Sequence, residues 1–299
     1  MALESATLDK LSWRKRAPDL PPVRRSEQML GSILEAEGVL KAADVERILR
    51  EQQQSKELFG VAAKRLGLVR EEQIVWALSV QYDFPARFAQ ETLSPELFMA
   101  HDPYSIRAES VRSLRSELLL RFLSDSRKTI AVVSARDNEG RSAIAANLAI
   151  SFAQAGERTL LIDANLRNPQ QADLFRLGEG AGLTSLLSGR ASIKETIYAA
   201  DAFGELGILS SGPRPPNPQE LLGRVAFSYI MESLPSTFDV VLVDTPPLLK
   251  CADAQIIAAR AGACLLATRT NHTRLNELNA CKNKLMSSGV DVLGVVVND

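Results

Sequence analysis

The sequence predicts an α/β fold, a mainly parallel sheet covered by helices, preceded by a small α-helical repeat unit. Three observations carry this. Short β-branched runs alternate with helical segments from Ser105 onward, the order that a parallel sheet with crossover helices requires. Runs such as VVLV at Val240–Val243 are apolar at every position, as strands buried on both faces are. Nearer the N-terminus, MLGSILEAEGVLKAADVERILREQ (Met29–Gln52) aligns without gaps on LFGVAAKRLGLVREEQIVWALSVQ (Leu58–Gln81), an offset of 29 residues. A repeat of that period is a supersecondary unit that needs its neighbour to bury its apolar face.

Composition narrows the function classes. The 299 residues hold 35 Lys and Arg against 36 Asp and Glu, 45% hydrophobic residues and four tyrosines. That balance fits one large and one small globular domain and excludes a disordered polyanion, a collagen or a disulfide-rich scaffold. No apolar stretch reaches the roughly 18 residues of a membrane helix. No global charge draws the chain to nucleic acid or anionic lipid, so local sites must carry function. Cys251, Cys264 and Cys281 lack the spacing of a zinc or redox pair and are expected to be reduced and structural. His101 and His272 have no second ligand nearby in the sequence and are assigned to no metal.

Residues 1–25 mix charges and prolines without a secretory core and are expected to form a flexible cytoplasmic tail. Residues 26–82 form the repeat domain. In each copy a short helix should end at the second glycine, Gly38 or Gly67, which takes the left-handed cap conformation before a longer amphipathic helix. Val45, Ile48 and Leu49, and then Ile74, Ala77 and Leu78, keep the spacing of a buried face. Residues 83–104, with Pro85, Pro95 and Pro103, read as the connection. Residues 105–299 form the α/β domain, with a helix over Ala108–Leu123 and strands at Thr129–Ser134, Thr159–Asp163, Leu206–Ser210, Asp239–Asp244, Ala263–Thr268 and Val290–Val297. In PPNPQELL (Pro215–Leu222), Asn217 as N-cap and Pro218 at the first helical position mark a helix start rather than an SH3 ligand.

The first strand runs into Ala135-Arg136-Asp137-Asn138-Glu139-Gly140-Arg141-Ser142 and then a helix. Strand, loop and helix have the layout of a P-loop, in which backbone N–H groups and the helix N-terminus hold phosphates and a Ser or Thr hydroxyl reaches magnesium. Alone, the loop weighs no more than a turn with a surface arginine. Asp163 and Asp244 shift the balance, because both end parallel strands, at the crevice where open α/β sheets bind ligands. Asp244 then reads as the Walker B acid.

These stretches resemble the bacterial tyrosine kinases of exopolysaccharide biosynthesis, relatives of the MinD/ParA P-loop ATPases. The resemblance rests on EGRSAIAANLA (Glu139–Ala149), LLIDANLRNP (Leu160–Pro169), GLTSLLSG (Gly182–Gly189), PPNPQELL, DVVLVDTPP (Asp239–Pro247), DAQIIAARAG (Asp253–Gly262) and LGVVVN (Leu293–Asn298), in intact order. It implies a P-loop NTPase sheet of the MinD/ParA kind, ATP and Mg2+ as cofactors, and protein-tyrosine phosphorylation. Asn138, Glu139, Gly140, Arg141, Ser142 and Ala143 would hold phosphates, Asn298 would contact adenine, and Ser142, Asp163 and Asp244 would hold the metal. Asp163, Arg141 and Asp244 would be catalytic, with Asp163 as base. The family usually has glycine at Ala135, lysine at Arg141, Pro-Gly at Asp137-Asn138 and aspartate at Asn165. A GEGRS-type loop is expected of its chain-length-determinant group. An amide at Asn165 cannot take a proton, which leaves only Asp163 as base candidate. Glu109, Arg112 and Arg115 match the family's ExxRxxR motif, implying a homo-oligomeric ring. A membrane-anchored chain-length-determinant co-polymerase is the implied partner, holding the protein at the inner face of the cell membrane.

The N-terminal repeat resembles the MshEN domain, which binds cyclic di-GMP through two motifs beginning Arg-Leu-Gly and ending in Gln. Leu30, Gly31, Gly38, Leu49 and Gln52 match in the first copy, and Gly60, Gly67, Leu78 and Gln81 in the second. Met29 and Leu58 replace the leading arginine, so an anionic ligand loses a charged donor. Two rivals to the kinase remain: a nucleotide-switched assembly scaffold of the MinD/ParA kind, and a pseudo-ATPase adaptor whose repeat does the sensing. The scaffold is favoured by Ala135, Asn165 and the lack of a tyrosine after Tyr229. The candidate acceptors in the chain are Tyr82, Tyr104, Tyr198 and Tyr229.

Overall fold

The computed structural model describes residues 29–81, 93–124 and 126–299. The expected tail, and Tyr82, lie outside them. The described residues fall into two compact units, 29–81 and the residues from 93 onward.

The first unit is four helices: α1 (Leu30–Ala36), α2 (Ala42–Ser55), α3 (Phe59–Arg65) and α4 (Glu71–Gln81). Gly38 and Gly67, at φ +75° and +68°, close the two short helices in the left-handed conformation that a side chain would resist. The copies interlock, since α1 packs on α4 and α3 on α2. Gly31 lets the crossing close up: a Cβ there would stand 3.1 Å from the Phe59 ring of the other copy. Ile48 and Ala77 are fully buried, in a core with Ile33, Leu34, Ala62 and Ala63. Leu49 and Leu78, expected beside them, are instead 42% and 37% exposed. The interlocked packing uses a narrower stripe than the i, i+3, i+4 pattern, and both leucines turn into a groove.

The second unit begins within the expected connection. Leu93 packs against its core, and α5 (Phe98–His101) buries Met99 and Ala100 completely. The fully buried amide of Asn147 explains this docking: Oδ1 accepts from Met99 N–H at 2.9 Å, while Nδ2 donates to the Glu96 carbonyl at 2.8 Å. One turn of helix has no period to detect, so the segment reads as linker in the sequence.

From there α6 (Ile106–Arg121) leads into β1 (Thr129–Ser134), α7 (Arg141–Gln154) and β2 (Thr159–Asp163). The short helices α8 (Gln171–Phe175), α9 (Leu183–Leu187) and α10 (Ile193–Thr196) precede β3 (Ile197–Ala199) and β4 (Leu206–Leu209). Then come α11 (Pro218–Leu222), α12 (Val225–Ser233), β5 (Val240–Asp244), α13 (Asp253–Ala261), β6 (Ala263–Arg269), α14 (Leu275–Met286) and β7 (Asp291–Asn298). The sheet order is β3-β4-β2-β5-β1-β6-β7, parallel except for the β3–β4 pair. The six expected strands lie within a residue of their predicted bounds. Strand β3 was not expected: three partly exposed residues carry no alternation. Asn217 and Pro218 do start α11, although the Asn217 side chain makes no capping bond. Ile130 and Val132 face a core formed with α5, α6 and α7, while Ala131 and Val133 face another formed with α13 and α14. Pairing with β5 on one side and β6 on the other makes β1 an interior strand, covered on both faces.

Candidate nucleotide site

The parallel register brings the acids together. Asp163 and Asp244 are paired across β2 and β5, and Val132 of β1 is level with Asp244. Both carboxylates are fully buried. Asp163 Oδ2 accepts the backbone N–H groups of Gln170 and Gln171 at 2.9 Å each, and Oδ1 accepts from Asn165 N–H at 3.2 Å. Burial, and then the neighbouring Asp244 charge, push the Asp163 carboxyl up to about 7 against those three donors.

The loop between β1 and α7 is braced from within. Glu139, almost fully buried, turns its Oε2 back to accept Arg136 N–H at 2.7 Å, and its Oε1 accepts the Thr273 hydroxyl. Outer clamps are the Asp137–Lys250 and Arg136–Glu277 ion pairs and an Arg269 bond to the Asn138 carbonyl. Asn138 takes φ +60°, a conformation asparagine tolerates better than most residues. Gly140 has two reasons to be glycine: φ +77°, and a Cβ that would stand 2.0 Å from Asn298 Nδ2. Asn298, ending β7, therefore walls the loop at the start of α7. Arg141, Ser142 and Ala143 form the first turn of that helix, whose N–H groups lack intrahelical acceptors.

Arg141 does not point outward. Its side chain is 8% exposed; Nε donates to Asp244 Oδ1 at 3.0 Å and Nη1 to Ser134 Oγ at 2.7 Å. Gln171, invisible to motif reasoning, occupies the other side of Asp244. Its Nε2 donates to Asp244 Oδ2 at 2.9 Å and to the Ser142 carbonyl at 3.1 Å, while its Oε1 is buried without a partner. Asn165 joins this cluster only through its backbone N–H; its side-chain amide turns away and exchanges two hydrogen bonds with the Asn168 backbone. The donating half of that exchange is open to an amide and closed to a carboxylate. Arg167 pairs in bidentate fashion with the buried Asp253, tying the β2 loop to α13. The signal for that pair lay in two stretches read separately.

Away from the site, Glu109 is exposed, but Arg112 folds onto it and onto the Pro103 carbonyl. Arg115 turns inward to the Ser151 carbonyl at 2.8 Å, where burial lowers its pKa. Cys264 and Cys281, pushed up to about 12 and about 11 by burial, are unreactive thiols. In the helical unit, Leu30, Gly31, Gln52, Gly60 and Gln81 line one groove of about 740 Å³ with Leu49 and Leu78, whereas Gly38 and Gly67 stand apart as helix caps. No group of three or more His, Cys, Asp and Glu side chains among the described residues is placed to hold a metal ion, and no helix among them is long and apolar enough to cross a membrane.

A braced loop ahead of a helix N-terminus, with two carboxylates in register on neighbouring strands, defines a P-loop nucleotide-binding protein. The family model described as AAA domain matches residues 127–280, leaving the helical unit outside. The chain is 35% identical to the tyrosine-protein kinase YwqD of Bacillus subtilis over 197 residues, 66% of this chain and 83% of that one. It is 36% identical over 180 residues to the tyrosine-protein kinase CpsD of Streptococcus agalactiae, covering 60% and 78%. The kinase domain of the Escherichia coli tyrosine kinase ETK superposes with a TM-score of 0.67 at 28% identity, covering 70% of this chain and 82% of that domain. MinD of Pyrococcus horikoshii, complexed with Mg-ADP, shares the fold at 21% identity and a TM-score of 0.51, over 57% and 70%. The chain belongs to the bacterial tyrosine-protein kinase family, whose catalytic domain is built on this P-loop ATPase fold.

Proposed function

We propose that the site binds ATP with Mg2+ and transfers its γ-phosphoryl group to tyrosine, and that the enzyme serves exopolysaccharide chain-length control and export. The observation that carries this is the in-register pair Asp163 and Asp244 beneath the first turn of α7. Helix-start N–H groups and Gly140 take the phosphates, Glu139 and Asn138 shape the loop, and Asn298 borders the base side. Arg141 exchanges Asp244 for phosphate oxygens as nucleotide enters. Ser142, Asp163 and Asp244 are an all-oxygen set that suits magnesium, and the unpartnered Gln171 Oε1 beside them is a further oxygen without a donor. Bound there, magnesium would neutralise charge on the transferred group. Asp163, whose carboxyl is pushed upward by burial and by the neighbouring Asp244 charge, is the base candidate for the tyrosine proton.

Tyr104 and Tyr229, 45% and 47% exposed, are the acceptors a neighbouring copy can reach. The Tyr198 hydroxyl packs against Gly180, where a Cβ would stand 1.9 Å from it. The partner the resemblance implies is a membrane-anchored co-polymerase that recruits the chain to the inner membrane face, and the ring it implies would rest on Glu109 and Arg112, since Arg115 is turned inward to the Ser151 carbonyl. The helical unit, residues 26–82 in this division, is the sensing or docking module. Cyclic di-GMP is the ligand its resemblance implies, and the groove shared by both copies supports that assignment. Incubating the purified chain with labelled ATP, Mg2+ and the partner's cytoplasmic segment tests the kinase. Nucleotide binding without phosphotyrosine on either protein would leave the assembly scaffold, which Asn165's purely structural bonds favour; no saturable ATP binding would leave the adaptor.

A further inference from the structure

Four buried side-chain polar atoms among the described residues have no hydrogen-bond partner: Glu57 Oε2, Arg115 Nε, Gln154 Oε1 and Gln171 Oε1. Only the last belongs to a residue that touches both acids and the P-loop. Gln171 gives its backbone N–H to Asp163 Oδ2, and its Nε2 to Asp244 Oδ2 and to the Ser142 carbonyl. Each oxygen of Asp163 and Asp244 already accepts at least one N–H, from Asn165, Gln170, Gln171 or Arg141. Gln171 Oε1 is thus the one buried side-chain acceptor of the cluster with no hydrogen-bond partner.

We propose that Gln171 is a positioning residue for the divalent cation that accompanies the nucleotide: Nε2 holds Asp244 in place, and Oε1 accepts a hydrogen bond from a water in the cation's coordination shell. The assignment rests on the Mg2+–nucleotide site proposed above. Cation-bound water is a strong donor that needs acceptors, and outer-shell partners of this kind orient the inner ligands. Residue chemistry narrows the choice. Glutamate would add a third buried carboxylate, leucine would leave Asp244 Oδ2 without its donor, and asparagine is one methylene too short to span Asp244 and the Ser142 carbonyl.

The test uses the full chain with a non-hydrolysable ATP analogue, titrated with Mn2+ and followed by electron paramagnetic resonance. Analogue affinity is measured separately in EDTA, and melting curves confirm folding. Gln171→Met, of equal length and without the amide, should weaken Mn2+ binding about tenfold or more, with metal-free analogue affinity within about twofold of the parent. Gln171→Asn keeps a polar group, serves if the methionine variant does not fold, and should weaken Mn2+ binding likewise. Parental Mn2+ affinity in a folded variant, or equal loss with and without metal, overturns the role of Gln171 alone. Failure of the unaltered chain to bind Mn2+ with the analogue overturns the nucleotide site, and this proposal with it.

Discussion

Replacing Arg141 by alanine separates a surface phosphate ligand from a buried half of an ion pair. Arg141 is 8% exposed on its side chain and Asp244 not at all, with 3.0 Å between Nε and Oδ1. In the variant, Asp244 keeps one donor, Gln171 Nε2, and loses its cation, while Asp163 stays beside it. Breaking a buried pair from one side costs about 3–5 kcal/mol, and the lost donor to Ser134 adds to it. With a urea slope of about 2–3 kcal/mol per molar, the midpoint should fall by about 1–2 M at pH 7.5. Acidification should shrink the difference, because protonating Asp163 removes one of the two adjacent charges left without a cation. The double variant Arg141→Met/Asp244→Leu removes both charges, so it should be less destabilised than Arg141→Ala while losing nucleotide binding. Chemical denaturation followed by circular dichroism reads this out. An unchanged midpoint in Arg141→Ala, or a double variant no more stable than the single, would refute the buried pair.

The other predictions follow from single contacts. Asp163→Asn should abolish tyrosine phosphorylation while nucleotide still binds, read by anti-phosphotyrosine blotting beside calorimetry; undiminished phosphorylation would remove Asp163 as base. Because the Asp163 carboxyl is raised from 3.8 to about 7, the native state holds its proton longer than the unfolded chain. Its contribution to stability therefore falls as pH rises from about 4 to 7 and is level above, and the asparagine variant should show a flatter profile over that range. Gly140→Ala meets both a left-handed backbone and Asn298; it should cost about 1–3 kcal/mol and weaken nucleotide binding more than Gly156→Ala, whose Cβ would meet nothing. Ile48→Ala, in the core of the helical unit, should cost about 2–5 kcal/mol and be seen in Trp76 fluorescence in a Trp13→Phe background, with ATP affinity unchanged.

What could be read in advance follows physical range. Strand bounds were legible because burial on both faces writes uninterrupted apolar runs, and the Asp163–Asp244 pairing followed from strand ends. The direction of Arg141 was not, because whether the guanidinium faces outward or folds onto Asp244 depends on a contact made only after β5 enters the sheet. The same holds for Gln171: nothing near it in the chain marks a residue that bonds the P-loop and both acids. Leu49 and Leu78 fit the apolar period of their helices, yet the interlocked copies leave them lining a groove. Arg115 fits an exposed charge stripe, but Ser151 of α7 turns it inward. In each case the determinant is a partner from another element.

The contact between Gly140 and Asn298 orders events in time. On the ribosome the P-loop is made before most of the sheet, and its far wall emerges only when β7 has been synthesised and laid beside β6. A nascent chain that has made β1, α7 and β2 thus has phosphate-binding amides but no closed cleft, and cannot hold a nucleotide against solvent. Nucleotide capture should therefore follow the docking of β7, so that ligand stabilisation acts on chains whose sheet already includes that strand.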